Sequence, residues 1–186
     1  MKEGDKVMVT WVPRDGAHAT RRPGQVALSL PGGIQTGPTS VFTWADTTIA
    51  DEQYVVKMPA GQKKDVTAII GCAVMTGAGA VYHTAGVKKG QSVAVFGVGG
   101  VGLSAIAAAR VVEADPIIAV DLDDAKLDFA KRFGATHGIN ASTVDPVQAI
   151  RDLTTRVDAS GATVMGVDFA FDCIGVRKTM EQILPA

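Results

Sequence analysis

The stretch Val93-Ala94-Val95-Phe96-Gly97-Val98-Gly99-Gly100-Val101-Gly102 decides the fold of this 186-residue chain. Its leading apolar residues are typical of a strand buried on both faces, and the residues from Val101 to Val112 predict a helix. A G-x-G-x-x-G pattern between a strand and a helix is the setting in which glycines bind a dinucleotide. Gly97 permits the tight turn, Gly99 lets the backbone approach a pyrophosphate, and Gly102 lets the helix pack against the strand.

Strand and helix patterns alternate from this stretch to the C-terminus. Further strands are predicted at Ile117 to Val120, His137 to Ile139 and Val167 to Phe171, and further helices at Asp124 to Phe133, Val147 to Arg156 and Arg177 to Leu184. This alternation predicts an α/β fold with a Rossmann-type doubly wound parallel sheet. Since only four strands precede Ala186, we expect strands 5 and 6 to be missing and strand 4 to be an open edge.

Asp121 stands at the end of the second predicted strand, 19 residues after Gly102. An acid at this place bonds the ribose hydroxyls of NAD and repels the 2′-phosphate of NADP. Leu122 follows it, where an NADP enzyme often places Arg, so the sequence favours NAD. The alternative is a structural glycine turn with Asp121 as a helix cap, although Asp123 is the better N-cap candidate.

The N-terminal part of the chain is predicted to be β-rich. Lys6 to Val12, Ser40 to Ile49 and Tyr54 to Met58 are predicted strands, whereas the Gly- and Pro-rich stretch from Pro13 to Pro38 is predicted to be mostly loop. Asp65 to His83 is predicted to be a bridging helix. We therefore expect two domains, at residues 1–64 and 65–186.

Composition and charge exclude several classes of protein. The chain has 18 Lys and Arg against 19 Asp and Glu, so its net charge of −1 predicts no binding to nucleic acid or to a membrane surface. The charge-free run from Val93 to Ala109 is shorter than the ~20 residues of a membrane-spanning helix. Two cysteines form no disulfide framework, and we expect a cytoplasmic protein.

Several motifs in a fixed order resemble the zinc-dependent alcohol dehydrogenases of the medium-chain dehydrogenase/reductase superfamily. They are Gly71-Cys72-Ala73-Val74-Met75-Thr76-Gly77, the glycine stretch, Asp121, and Val167 to Gly175; Gly4-Asp5-Lys6-Val7 and Thr43-Trp44-Ala45-Asp46 also match. The resemblance implies a partial GroES-like catalytic domain before residue 65, NAD and zinc as cofactors, an alcohol or aldehyde substrate, and a homo-oligomeric full-length protein.

The resemblance also implies roles for single residues. Cys72 matches a catalytic zinc ligand, although without the motif it would be interpreted as a small buried hydrophobe. Trp44 matches a wall of the substrate pocket, with an ordinary core aromatic as an equal alternative. The positions that match cofactor-binding residues are Thr76, Gly97, Gly99, Gly100, Val101, Gly102, Asp121, Lys126, Ile174 and Gly175.

Two departures from the family pattern shape the functional hypothesis. Pro13 to Pro38 lacks the four cysteines of the family's structural zinc lobe, so we expect no structural zinc. The family's other catalytic zinc ligands precede the Gly4 segment, so only Cys72 remains. We expect a fragment of a longer dehydrogenase with little turnover of its own. Two alternatives stay open: a non-catalytic dinucleotide-binding module, and a zinc-free member of the quinone-reductase branch, against which the motif around Cys72 argues.

Overall fold

The computed structural model of the chain describes residues 1–10, 29–35, 45–158 and 160–186. Within these ranges the chain forms two compact units, Met1–Cys72 and Ala73–Ala186. Trp44 lies outside the described residues, and so does most of the stretch from Pro13 to Pro38.

A four-stranded parallel sheet is the centre of the second unit. Its strands are β5 (Val93–Phe96), β6 (Ile117–Asp121), β7 (His137–Asn140) and β10 (Phe169–Asp172), arranged in the order β10-β5-β6-β7. The chain moves outward from β5 to β7 and then returns to the other side of β5. This is the 3-2-1-4 part of the Rossmann strand order, and the prediction of a Rossmann-type parallel sheet with strands 1–4 is confirmed.

Four helices connect and follow these strands. They are α3 (Gly100–Val111), α4 (Asp124–Phe133), α5 (Pro146–Thr154) and α6 (Arg177–Ile183). The Asp123 carboxylate caps α4 by accepting from the Ala125 N–H at 2.9 Å, as predicted. Gly134 ends the same helix with a φ of 124°, a value that favours glycine. Local capping signals therefore set the bounds of α4.

The core of this unit has one layer on each face of the sheet. Because successive strand residues point to opposite faces, Val93 and Val95 of β5 pack into one cluster with Ile106 of α3, while Ala94 and Phe96 pack into another. All four residues of β5 are at most 1% exposed. This burial on both faces explains the unbroken apolar run that predicted the strand.

A carboxylate fastens the amino ends of the strands. Asp168, just before β10, accepts from the backbone N–H and the Oγ of Ser92 at 2.7 Å each, and from Arg156 at 3.1 Å. Burial raises the pKa of Asp168, but these hydrogen bonds and the Arg156 charge outweigh it and bring the pKa below its usual 3.8. A polar cavity of about 260 Å³ lies beside them, and Ser92, Arg156 and Asp168 are among its lining residues.

One predicted helix in this unit ends too late. The helix predicted from Val147 to Arg156 ends at Thr154, because Arg156 belongs to β8 (Arg156–Val157), which pairs antiparallel with β9 (Thr163–Val164). The Asp158 carboxylate organises the turn between them by accepting from the Ser160 and Ala162 N–H groups. Strands of two residues show no periodicity, so the pattern along the chain did not reveal them.

The first unit contains two short antiparallel pairs in its described residues. β1 (Val7–Val9) pairs with β4 (Val55–Lys57), and β2 (Ser29–Leu30) pairs with β3 (Ile34–Gln35). The prediction of loop was wrong for this second pair, whose turn uses the positive φ of Gly32 and Gly33. The predicted strand from Ser40 to Ile49 was wrong over residues 45–49, which form bends and irregular backbone.

A long helical segment runs from Lys64 to Ala85, and the helix predicted from Asp65 to His83 lies within it. It comprises α1 (Lys64–Thr67), a π-helical turn (Ile70–Val74), α2 (Met75–Gly79) and a second π-helical turn (Ala80–Ala85). Among the described residues this segment alone is long and apolar enough to cross a membrane by length and composition, a test that core helices of soluble proteins also pass. The segment is longer than the charge-free stretch from Val93 to Ala109 on which the prediction of no membrane span was based.

Candidate dinucleotide-binding site

The glycine turn between β5 and α3 has the backbone shape that its residues predict. Gly97 has a φ of 88°, and a Cβ there would lie 3.1 Å from the Ile174 Cδ1. A Cβ on Gly102 would collide with the Gly97 carbonyl, whereas one on Gly99 would meet nothing within 4 Å. Gly97 and Gly102 therefore allow the turn to pack tightly against the rest of the protein, whereas the space beside Gly99 is open.

The N-terminus of α3 lies at this turn. Gly99 is its N-cap residue, and no side chain of the described residues caps it. The first-turn N–H groups of a helix have no acceptor within the helix, and the helix dipole makes that end positive. Gly99 and Gly100 are exposed and Val101 is half-buried, so this end of α3 is suited to an anionic group.

Asp121 joins the end of β6 to the glycine turn. Its Oδ2 accepts from the Val98 N–H at 3.0 Å, and its Oδ1 accepts from the Leu122 N–H at 2.8 Å. The Lys126 Nζ stands 4.0 Å from Oδ1. The Asp121 side chain is only 12% exposed, so the carboxylate is held in one place before any ligand arrives. A carboxylate has about four acceptor positions, and some remain for ligand hydroxyls.

A cavity of about 410 Å³ lies at the carboxyl ends of the strands. Its walls include Phe96, Val120, Asp121, Leu122, Lys126, Ala141, Ile174, Val176, Lys178, Thr179 and Gln182. In open α/β sheets ligands bind at this edge, where the strand order reverses, which here is between β5 and β10. The cavity thus brings three of the predicted residues, Asp121, Lys126 and Ile174, to one place.

The other predicted residues lie at different distances from the cavity. Gly175 follows Ile174 in a turn, with a φ of 80°. Thr76 is exposed on α2, next to Gly77, which packs against α3. The sequence did not predict the cavity positions of Lys178, Thr179 and Gln182, because α6 follows the last motif and carries none of its own.

Cys72 lies in the π-helical turn Ile70–Val74 and is exposed. Over the part of the chain that the structure describes, no group of three His, Cys, Asp or Glu side chains is placed to hold a metal ion. A catalytic zinc site needs three protein ligands, so the described residues do not form one. The second cysteine, Cys173, follows β10; burial and then the Asp172 charge raise the pKa of its thiol to about 11.

Comparison with known proteins shows similarity to one family. A profile described as zinc-binding dehydrogenase matches residues 100–186. Alcohol dehydrogenase class-3 of Cereibacter sphaeroides is 39% identical over 144 residues, which cover 77% of this chain and 38% of that protein. These similarities support the resemblance of the chain to the zinc-dependent alcohol dehydrogenase family.

Other members of the family show the same partial overlap. S-(hydroxymethyl)glutathione dehydrogenase of Synechocystis sp. is 39% identical over 143 residues, 76% of this chain and 37% of that protein. A solved alcohol dehydrogenase zinc-binding domain protein from Burkholderia ambifaria matches all of this chain and 54% of its own, with a TM-score of 0.80 and 32% identity. Benzyl alcohol dehydrogenase from Acinetobacter calcoaceticus matches at a TM-score of 0.75 and 28% identity, over 100% of this chain and 53% of its own.

Proposed function

We propose that this chain is the dinucleotide-binding part of an NAD-dependent, zinc-dependent alcohol dehydrogenase. The observation that supports this most is the glycine turn, closed by Gly97 and Gly102 and bonded through Val98 to Asp121. It opens beside a cavity of about 410 Å³ at the switch point of the sheet. Acting on alcohols or aldehydes, and assembly of the whole protein as a homo-oligomer, belong to the same proposal.

Each part of NAD has a matching part of the chain. The pyrophosphate fits the open side of Gly99 and the free N–H groups of α3. The adenosine ribose fits Asp121, with the Lys126 ammonium beside it, and the adenine fits the largely apolar cavity walls. A 2′-phosphate would meet the Asp121 carboxylate, so NAD binds better than NADP. When bound, the nicotinamide exchanges a hydride with the substrate carbon.

Cys72 is the one residue of this chain that we propose as a zinc ligand. Its thiolate would be one ligand of a catalytic zinc in the whole protein, with the remaining ligands outside the described residues. No step through zinc follows from this chain alone. Residues 1–64 would then be part of the catalytic domain and residues 65–186 part of the nucleotide domain, with no structural zinc and a cytoplasmic setting.

The decisive experiment is a titration of the 186-residue chain with NADH, followed by calorimetry or nucleotide fluorescence. We expect one site per chain, and Asp121→Ala weakens it about tenfold or more, because hydrogen bonds to a charged group contribute about 1.5–3 kcal/mol. Asp128→Ala is the matched control, since that acid is exposed on α4 and, among the described residues, is bonded by Lys131 alone. An Asp121→Ala Kd equal to the wild-type Kd would remove this residue from the site.

A non-catalytic dinucleotide-binding module is the second candidate, because the described residues include a cofactor cavity but no metal site. Zinc analysis and NAD-linked alcohol oxidation separate the candidates. The isolated chain should bind NADH with little or no turnover. Substantial oxidation by the chain alone would contradict the expectation of a fragment, and activity of a longer, zinc-free form would favour the quinone-reductase branch.

A further inference from the structure

Asp172 ends β10 on the side of the glycine turn opposite to Asp121. It is half-buried and lies outside the cavity walls. Its Oδ1 accepts from the Ile174 N–H at 3.0 Å and from the Thr179 Oγ1 at 2.9 Å. The Gly175 N–H donates to both carboxylate oxygens, at 3.3 and 3.2 Å. One side chain thus binds three donors that follow it within seven residues.

These bonds fix a turn that touches the cofactor loop. The Cys173 N–H donates to the Phe96 carbonyl at 2.8 Å, which extends the β10–β5 pairing by one residue. Beyond it the chain turns sharply, and Ile174 packs over Gly97 so closely that no Cβ fits there. Ile174 also lines the cavity, so its position affects both the glycine turn and the cavity wall.

Thr179 connects the same carboxylate to the start of α6. It is buried, and its hydroxyl also bonds the Val176 carbonyl at 2.9 Å. Val176 and Thr179 both line the cavity. An acceptor-only carboxylate at position 172 therefore satisfies donors on the turn and on the helix that together form one wall.

We propose that Asp172 is a positioning residue of the dinucleotide site. Its carboxylate holds the Ile174–Gly175 turn against Gly97, as Asp121 holds the glycine turn from the other side through Val98. This rests on the proposed NAD site. Asp172 touches no ligand itself, and its effect on binding passes through Ile174. Without these acceptors the Ile174–Gly175 turn is less ordered in the free protein. Ligand binding must then order the turn, which lowers the affinity.

The test is a double-mutant cycle on NADH affinity in the full chain. Asp172→Asn keeps the shape but turns an amide donor towards groups that themselves donate, and we expect about a tenfold loss of affinity. Ile174→Ala should also weaken binding. The combined variant should lose much less than the product of the two factors, because both act through the same contact. Asp128→Asn, paired with Ile174→Ala, is the control and should show no coupling.

Two further variants make the outcome unambiguous. Asp172→Glu retains the carboxylate and should recover most of the affinity, and Thr179→Val removes one of its bonds if Asp172→Asn does not fold. A purely structural role would lower stability and leave the NADH Kd of the folded variants unchanged, which would overturn the inference. Multiplicative losses in the cycle would also overturn it. A wild-type chain that fails to bind NADH would refute the proposed function and this inference together.

Discussion

Replacing Gly77 by alanine tests how closely α2 and α3 must approach. A Cβ at Gly77 would lie 2.8 Å from the Ala105 nitrogen and 2.9 Å from the Ser104 Cβ, and nearer still to the Val101 carbonyl oxygen. Gly79, two residues later in the same helix, is the matched control, because a Cβ there would meet nothing within 4 Å. Neither glycine has a positive φ, so helix propensity contributes equally to both substitutions.

The two substitutions are expected to change the free energy of unfolding in opposite directions. Alanine in place of glycine in a helix stabilises by about 0.5–1 kcal/mol, and Gly79→Ala should show this gain. At Gly77 the added methyl group needs the helices to move apart by about an ångström to reach ordinary carbon contact distances. Such overpacking costs about 1–3 kcal/mol. Because the propensity gain is common to both substitutions, the two variants should differ by the overpacking cost alone, about 1–3 kcal/mol in the free energy of unfolding.

Thermal and urea unfolding of the two variants measure this difference. For a unit of this size, 1 kcal/mol shifts Tm by about 4 °C, so the two Tm values should differ by about 4–12 °C. Because Val101 is in the first turn of α3, Gly77→Ala should also weaken NADH binding, and Gly79→Ala should not. Equal Tm values for the two variants would refute the close packing of α2 on α3.

Two further predictions concern titrating groups. Asp168 has a pKa below its usual value of 3.8. Its ionised carboxylate therefore contributes fully to folding stability above pH 3.8, and this contribution is lost as the pH falls through the pKa of the folded state. Urea unfolding of the wild type should therefore lose more stability between pH 5 and 2 than that of Asp168→Asn, and parallel pH profiles would contradict the bonds to Ser92 and Arg156. The Cys173 thiol, with its pKa at about 11, should be alkylated at pH 8 about a thousandfold more slowly than its thiolate reacts. In the single-cysteine variant Cys72→Ser, the alkylation rate of Cys173 should keep rising beyond pH 10. A plateau near pH 9 would show that burial does not raise the pKa of this thiol.

The parts of the fold that were predicted from sequence depend on local patterns. The strand β5, the glycine turn and the start of α3 follow one another within a few residues, and each uses residue types with a direct backbone preference. The Asp123 cap and the Gly134 end of α4 are equally local. Such features could be placed to within a residue or two because nothing distant in the chain is needed to explain them.

The parts that were missed depend on partners far away in sequence or on very short elements. The β8–β9 pair has too few residues for a pattern. Asp172 is an ordinary strand-end acid in the sequence. Its three donors become visible only when the Ile174–Gly175 turn and α6 are in place.

The sequence by itself determined the strand–glycine–helix unit, the acid at position 121 and the resemblance to a dehydrogenase family, since these reside in residue types at fixed spacing. Only the tertiary structure decided that Asp121 bonds the Val98 N–H, that Ile174 covers Gly97, and that the carboxyl end of β6 and the segment after β10 line one cavity. Strand order is the physical reason. Because β10 returns beside β5 from 76 residues further along the chain, no spacing within the sequence specifies which groups will face each other across the switch point.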